Sequence, residues 1–295
     1  MTHDWKQQRE RGTVLMLGLL LLCTRLLGRT ATRLVLFPIT AYFLLFAGAA
    51  RRASRDYLRR VLGREPGLAD VARHFHTLAS VTLDRMFLLR RGADGFDVRR
   101  DSSPEVEALA GQPGGCLLVL AHVGGYEALR LAAGERQRQL KILMDLQAGR
   151  KLTSLLLALN PDLAAQLIDA SERGPGLVLK LRDALEQGAF VGVMADRATA
   201  EERAVEADFL GGRARFAVGP WMLASAVGVP VILAFGLYLG GNRYALHMEL
   251  FRERVDLPRG NRDEALRSLV QDYAARLEHY TRLAPPTGST STTTG

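Results

Sequence analysis

Two cysteines in 295 residues, Cys23 and Cys116, leave no material for a disulfide framework or a thiolate metal site. Each lies in an apolar run, so both read as buried small hydrophobes in a reducing compartment. Aromatic residues make up only 7% of the chain and fall mainly in apolar runs, which argues against a nucleic-acid partner. Four signatures are missing: the Gly-x-Ser-x-Gly elbow, the phosphate loop ending in Gly-Lys-Ser/Thr, His-Glu-x-x-His, and Gly-x-Gly-x-x-Gly. Their absence removes the serine-hydrolase, P-loop, zinc-protease and dinucleotide-binding readings. No metal and no bound cofactor are expected.

What is present is charge and apolar length. The formal net charge is +8, carried mostly by arginine, and 48% of the residues are hydrophobic. That excess suits an anionic partner such as an acidic membrane face, an acidic carrier protein or a phosphorylated substrate; a merely soluble basic surface is the bland alternative. Val14–Leu22 and Leu34–Ala50 are uncharged, with Arg25, Arg29 and Arg33 before the second run and Arg51, Arg52 and Arg55 after it. The longer run is at the short end of the ~20 residues a spanning helix needs, and Pro38 and Gly48 interrupt it. One spanning helix, two interfacial helices and a buried hairpin are all compatible with this pattern. Arginine on both flanks favours attachment over a simple span.

The rest alternates. Helical spacing marks 53–63 and 68–91, where His74 and His76 read as surface residues of the helix. Strands are expected at Cys116–Leu120, Leu140–Met144, Gln166–Asp169 and Phe190–Ala195, and a hairpin at Val229–Leu239 and Tyr244–Phe251. Helices are expected at Val106–Ala110, Tyr126–Arg138, Lys151–Leu159, Leu177–Gln187, Trp221–Val227 and Asp263–Leu283. This is an α/β fold, with a mixed, mostly parallel sheet flanked by helices and with membrane-associated helices at its N-terminus. Residues 1–50 form the hydrophobic segment, 51–284 the catalytic domain, and 285–295 a disordered Ser/Thr-rich tail.

The chemistry concentrates in Leu118-Val-Leu-Ala-His122-Val-Gly124-Gly125-Tyr126-Glu127. A buried strand delivers His122 to its carboxyl end, where open α/β sheets bind ligands. With Glu127 in the first turn of a following helix, its carboxylate can reach one imidazole nitrogen and leave the other to accept a proton. Gly124 and Gly125 lack side chains, so their N–H groups can face an oxyanion. A satisfied strand-end histidine beside an unrelated glutamate fits the same spacing.

His122-Val-Gly-Gly-Tyr-Glu127 resembles the His-x4-Asp/Glu motif of glycerolipid acyltransferases, in the glutamate form of the bacterial lipid A late acyltransferases. Met194-Ala-Asp196-Arg197, Phe209–Pro220 and Gly228-Val-Pro230-Val231 are similar, in order, to that superfamily's later blocks. Arg9–Gly12, Gly28-Arg29 and Arg51–Leu58 extend the resemblance towards the N-terminus. The aromatic-rich ending usual in that group is replaced here by the Ser/Thr tail.

The resemblance implies transfer of a fatty acyl chain from acyl carrier protein or coenzyme A to a hydroxyl of a lipid or glycolipid, at the cytoplasmic face of a bacterial inner membrane. His122 would be the base and Glu127 its orienting partner. Asp196 and Arg197 would lie nearby, Arg197 to hold a phosphate or the oxyanion and Asp196 to orient it. Gly211 would allow close approach, and Arg213 and Arg215 would bind an acidic carrier or headgroup, unless they are a solvated basic loop. A membrane-bound hydrolase using the same histidine is the first alternative, and a non-enzymatic basic membrane-binding protein the second.

Overall fold

A computed structural model describes residues 28–91, 94–124, 138–146, 161–172, 174–198 and 202–288. The apolar run Val14–Leu22, the helices expected at 126–137 and 151–159, and Cys23, Gly125 and Glu127 lie outside the described residues.

Three helices come first: α1 (Gly28–Phe46), α2 (Gly48–Leu62) and α3 (Leu68–Arg91). Helix α1 runs through the exposed Pro38, and the apolar run is broken at Ala47, beside Gly48, the second of its two expected interruptions. In α2, Ser54, Tyr57, Leu58 and Val61 recur at helical spacing and form its buried stripe. Gly63 ends α2 in the left-handed region, φ 65°, its N–H bonded to Arg59 O. Strand β1 (Asp97–Ser102) and α4 (Pro104–Ala110) follow, then β2 (Cys116–Gly124), β3 (Leu140–Met144), a 3-10 turn (Pro161–Gln166) and β4 (Leu167–Asp169). Next come α5 (Pro175–Glu186), β5 (Phe190–Met194), the ribbon β6 (Ala204–Phe209) and β7 (Gly212–Ala217), α6 (Gly219–Val227), β8 (Val231–Gly240), β9 (Arg243–Arg252) and α7 (Arg262–Leu283).

Seven strands form one sheet in the order β1-β9-β8-β2-β5-β3-β4. Among the described strands of that sheet, only β8 and β9 pair antiparallel, so the mixed, mostly parallel α/β architecture is as expected. Strand β2 is central and apolar on both faces. Leu117, Val119, Ala121 and Val123 face a large core shared with α5, α6, α7 and the ribbon. Cys116, Leu118 and Leu120 face a second core with Val81 and Leu88 of α3 and Val106 of α4. Burial pushes the Cys116 thiol up to about 12, so it stays a thiol at neutral pH.

Four features differ from the sequence expectation. The 97–102 segment is an edge strand and 204–217 an antiparallel ribbon, neither with a predicted counterpart. His74 is wholly buried, because α3 is packed by α2 on one side and by α1 on another. Pro285–Gly288, expected to be disordered, form a 3-10 turn against α2 and α3. Tyr57 Oη donates to Pro285 O at 2.9 Å, and His74 Nε2 lies 3.0 Å from Gly288 O. A carbonyl only accepts, so Nε2 carries the proton and Nδ1 accepts from Ser54 Oγ at 2.7 Å.

Helix α1 is anchored by charge as well as packing. Arg29 Nε and Nη2 grip both oxygens of the buried Asp84 at 2.9 Å each, and Tyr244 Oη donates to the same carboxylate at 3.0 Å. Arg33 reaches Gly241 O and Tyr238 Oη at the β8–β9 turn. Leu36 packs with Leu83 and Phe87 of α3. The opposite side of α1 presents Leu34, Phe37, Tyr42, Leu45 and Phe46 to solvent, Phe46 at 73% exposure.

Desolvation depresses the pKa of His74, outweighing its bond to Gly288. Its contribution to stability is therefore present above the unfolded value of ~6.5 and lost as pH falls through the lower folded value. Urea unfolding at pH 7.5 and pH 5.5 should show the wild type losing more stability on acidification than His74→Gln, which carries no titrating ring. Parallel losses in the two proteins would show that His74 is not buried neutral.

Candidate active site

Strands β2, β5 and β8 run parallel and end on the same side of the sheet. Between β2 and β8 the rung Leu120–Ala234 is followed by Gly124–Gly236, so three residues of β2 oppose one of β8. Such a bulge re-aims side chains, and His122 is at its middle, with 35% of its side chain exposed while Ala121 and Val123 are buried. Gly124 closes the bulge at φ +71°, and a Cβ there would lie 1.9 Å from Gly236 O. Backbone conformation and space both demand glycine at that position. Gly124 therefore belongs to the strand.

Strand β5 supplies the partner. Its pairing with β2 includes the rung Leu120–Met194, and Ala195 N–H continues to Leu120 O at 3.2 Å. Two residues past that rung on each strand are His122 and Asp196. The Asp196 side chain is 1% exposed. Its Oδ2 accepts the backbone N–H of His122 at 3.0 Å, and its Oδ1 lies 2.9 Å from His122 Nδ1. Arg197 Nε is 3.8 Å from Oδ2, a looser ion contact than the one to His122. Burial lowers the pKa of the Arg197 guanidinium, and the Asp196 charge opposes that shift. Tyr273 of α7, fully buried, has its phenol raised well above the ordinary value by burial and by the Asp196 charge.

The structure thus brings together His122, Gly124, Asp196 and Arg197. Asp196, which the sequence reading set to orient Arg197, keeps an ion contact with it and in addition turns both oxygens to His122. The signal was present in the sequence: each residue is the first polar one after a buried apolar strand. Only the register between the strands was lacking.

The other expected site residues lie on the ribbon. Gly211, φ +72°, makes its turn with Leu210, φ 51°. Leu210 is buried in the core, and Phe209 packs edge-on against Phe216. Arg213 is committed to Asp208 across the ribbon at 3.0 Å, and its Nε is 3.8 Å from Glu206. Arg215 is exposed. A cavity of about 670 Å³ lies at the other end of the sheet, around Ser103, Glu249, Arg252 and Arg276. Its charges pair internally, Arg276 with Glu249 and Arg252 with Asp272. The described residues contain no cluster of three or more His, Cys, Asp or Glu able to hold a metal.

No protein-family model matches the sequence, and no curated protein matches it. Among solved structures, the chain is similar to the 1-acyl-sn-glycerophosphate (LPA) acyltransferase PlsC from Thermotoga maritima, with 15% identity and a TM-score of 0.38 over 86% of this chain and 97% of that one. A likeness of that size fixes neither fold nor chemistry, both of which rest on the residues above.

Gly124→Ala forces a Cβ into a carbonyl and a side chain into a left-handed backbone. It should destabilise by at least ~2 kcal/mol, since strain alone costs ~1–3 kcal/mol. Gly219→Ala, with open space around its Cβ, should stay within ~0.5 kcal/mol of wild type. Urea midpoints measure both, and equal effects would contradict the close approach of β2 and β8.

Proposed function

We propose that the protein is an O-acyltransferase acting on an amphiphile at a membrane surface. The observation that carries this reading is a half-exposed histidine, His122, held by a buried carboxylate at the carboxyl ends of parallel strands. The order of the four sequence blocks, with no serine or cysteine elbow among them, favours direct attack by a bound hydroxyl. In the reaction, His122 takes the proton of an acceptor hydroxyl, and the oxygen attacks the carbonyl of an acyl thioester. The tetrahedral intermediate collapses by breaking the C–S bond, and the thiolate leaves with the proton from His122. Ester and thiol are the products, so atoms and charge balance. Arg197 and the amides of the Gly124–Gly125 segment serve the oxyanion.

Acyl carrier protein and coenzyme A both suit the basic chain as donors. The resemblance favours a glycolipid acceptor of the lipid A type, with a lysophospholipid next. Arg215 is the better placed of the two ribbon arginines to meet an acidic carrier, because Arg213 is already paired. Glu127 keeps its expected place near His122 in this reading, on sequence grounds.

Membrane docking through α1 belongs to the same proposal. The exposed row Leu34, Phe37, Tyr42, Leu45 and Phe46 leads directly to the basic residues Arg51, Arg52 and Arg55. Arg29–Asp84 and Leu36 fix α1 along α3, which supports docking in the manner of an interfacial helix; by length and composition the same helix is also apolar enough to cross a membrane. The apolar row gains ~25 cal/mol per Å² buried in lipid, and each arginine near anionic headgroups adds roughly 1 kcal/mol.

Purified His122→Ala should lose about 10²–10⁴ of the transfer rate, the usual worth of a general base. Acyl transfer to a lipid hydroxyl, followed by mass spectrometry, measures this; near wild-type turnover would refute the mechanism. Release of free acid without acceptor would make the enzyme a hydrolase instead. In vesicle flotation, the protein should stay with anionic bilayers in molar salt, and Leu45→Glu with Phe46→Glu should release it. A wild type that never floats would remove the membrane part.

A further inference from the structure

Each oxygen of the buried Asp196 carboxylate meets a nitrogen of one residue, the main-chain N–H and ring Nδ1 of His122. At 1% exposure the side chain has almost no water to compete for those oxygens. The pair is set by sheet register, since both residues stand two positions beyond the rung Leu120–Met194. We infer that Asp196 is the positioning residue of this site, fixing His122 as the Nδ1–H tautomer and turning Nε2 towards the substrate.

The inference rests on the proposed role of His122 as base and deepens it. A carboxylate only accepts, so the 2.9 Å contact requires a proton on Nδ1. In the neutral ring that leaves the lone pair on Nε2, the atom that takes the acceptor's proton in the step above. When Nε2 is protonated, the negative oxygen 2.9 Å from Nδ1 stabilises the imidazolium. A ring nitrogen carries a single proton and makes one such bond. The groups facing Asp196 are consistent with a carboxylate held for this purpose. Arg197 stands 3.8 Å away, and the buried phenol of Tyr273 on α7 is raised in pKa by burial and by the Asp196 charge.

Substitution by asparagine separates the two bonds. Asparagine keeps one acceptor oxygen where aspartate has two, so it cannot serve both the main-chain N–H and the ring N–H. If its amide faces the ring it donates to Nδ1 and stabilises the Nε2–H tautomer, which is no base at the substrate side. In the serine protease triad the same carboxylate-to-amide change lowers turnover by about 10⁴ with the geometry intact.

The test is ¹⁵N NMR of the full-length protein, with the His122 ring signals assigned by their absence in His122→Gln. The wild type should show Nδ1 protonated and Nε2 bare, a result that requires no variant to fold. Asp196→Asn should invert or mix the tautomers and lower kcat by about 10²–10⁴ with KM little changed. Glu127→Gln should keep the wild-type tautomer. A wild-type ring protonated at Nε2 would overturn the inference, as would a Glu127→Gln variant that inverts the tautomer while Asp196→Asn leaves it alone. If the tautomers behave as expected but no form of the protein transfers an acyl group, the acyltransferase reading fails and the positioning role of Asp196 stands.

Discussion

A carboxylate buried to 1% exposure has to be answered by donors, and in this protein the donors of Asp196 come from one residue on the neighbouring strand. Leaving it unpaired would cost several kcal/mol. The pairing therefore locks the ends of β2 and β5 together just where the regular ladder stops. Packing on the rest of the sheet supports that lock. The bulge in β2 turns His122 out of the core, and the Gly124–Gly236 contact lets β8 close against it from the other side. Helix α7 covers the large core beneath, with Tyr273 against Trp221 and Phe216.

A second polar lock holds the helical N-terminal part to the sheet. Asp84 is again wholly buried, and it is answered by the fork of Arg29 and the hydroxyl of Tyr244. That arrangement joins α1, α3 and β9, so the exposed apolar row of α1 is presented by a fixed surface. The turn at Pro285–Gly288 closes the far side of α2 and α3 on His74 and Tyr57. On the proposed reading, the same framework offers a lipid-facing surface and a strand-end base in one domain.

The sequence made the central strands legible because strands buried on both faces are short, unbroken apolar runs, as in Cys116–Leu120 and Phe190–Met194. It did not disclose β1, whose residues Asp97–Ser102 alternate between exposed and half-buried at a polar sheet edge. The ribbon was missed for another reason. Its alternation is clear in Ala207, Asp208 and Phe209 and in Arg213, Ala214, Arg215 and Phe216, but its turn is Leu210–Gly211 rather than an Asn–Gly pair. His74 looked like a surface residue because its helix carries arginines at intervals; which faces α1 and α2 would cover is a tertiary fact. Asp196 was placed near His122 from motif order alone, and its bonds to His122 were not foreseen. Seventy-four residues separate the two, and only the pairing of β2 with β5 brings the counts into line.

The central claim is that the His122–Asp196 pair moves acyl chains onto a lipid hydroxyl. Mass spectrometry of total lipid extracts tests it most directly, comparing cells that make the wild-type protein, the His122→Ala variant or neither. The account predicts an amphiphile heavier by one fatty acyl group that is present only with the wild type. Identical lipid profiles in all three, at equal protein levels, would contradict it.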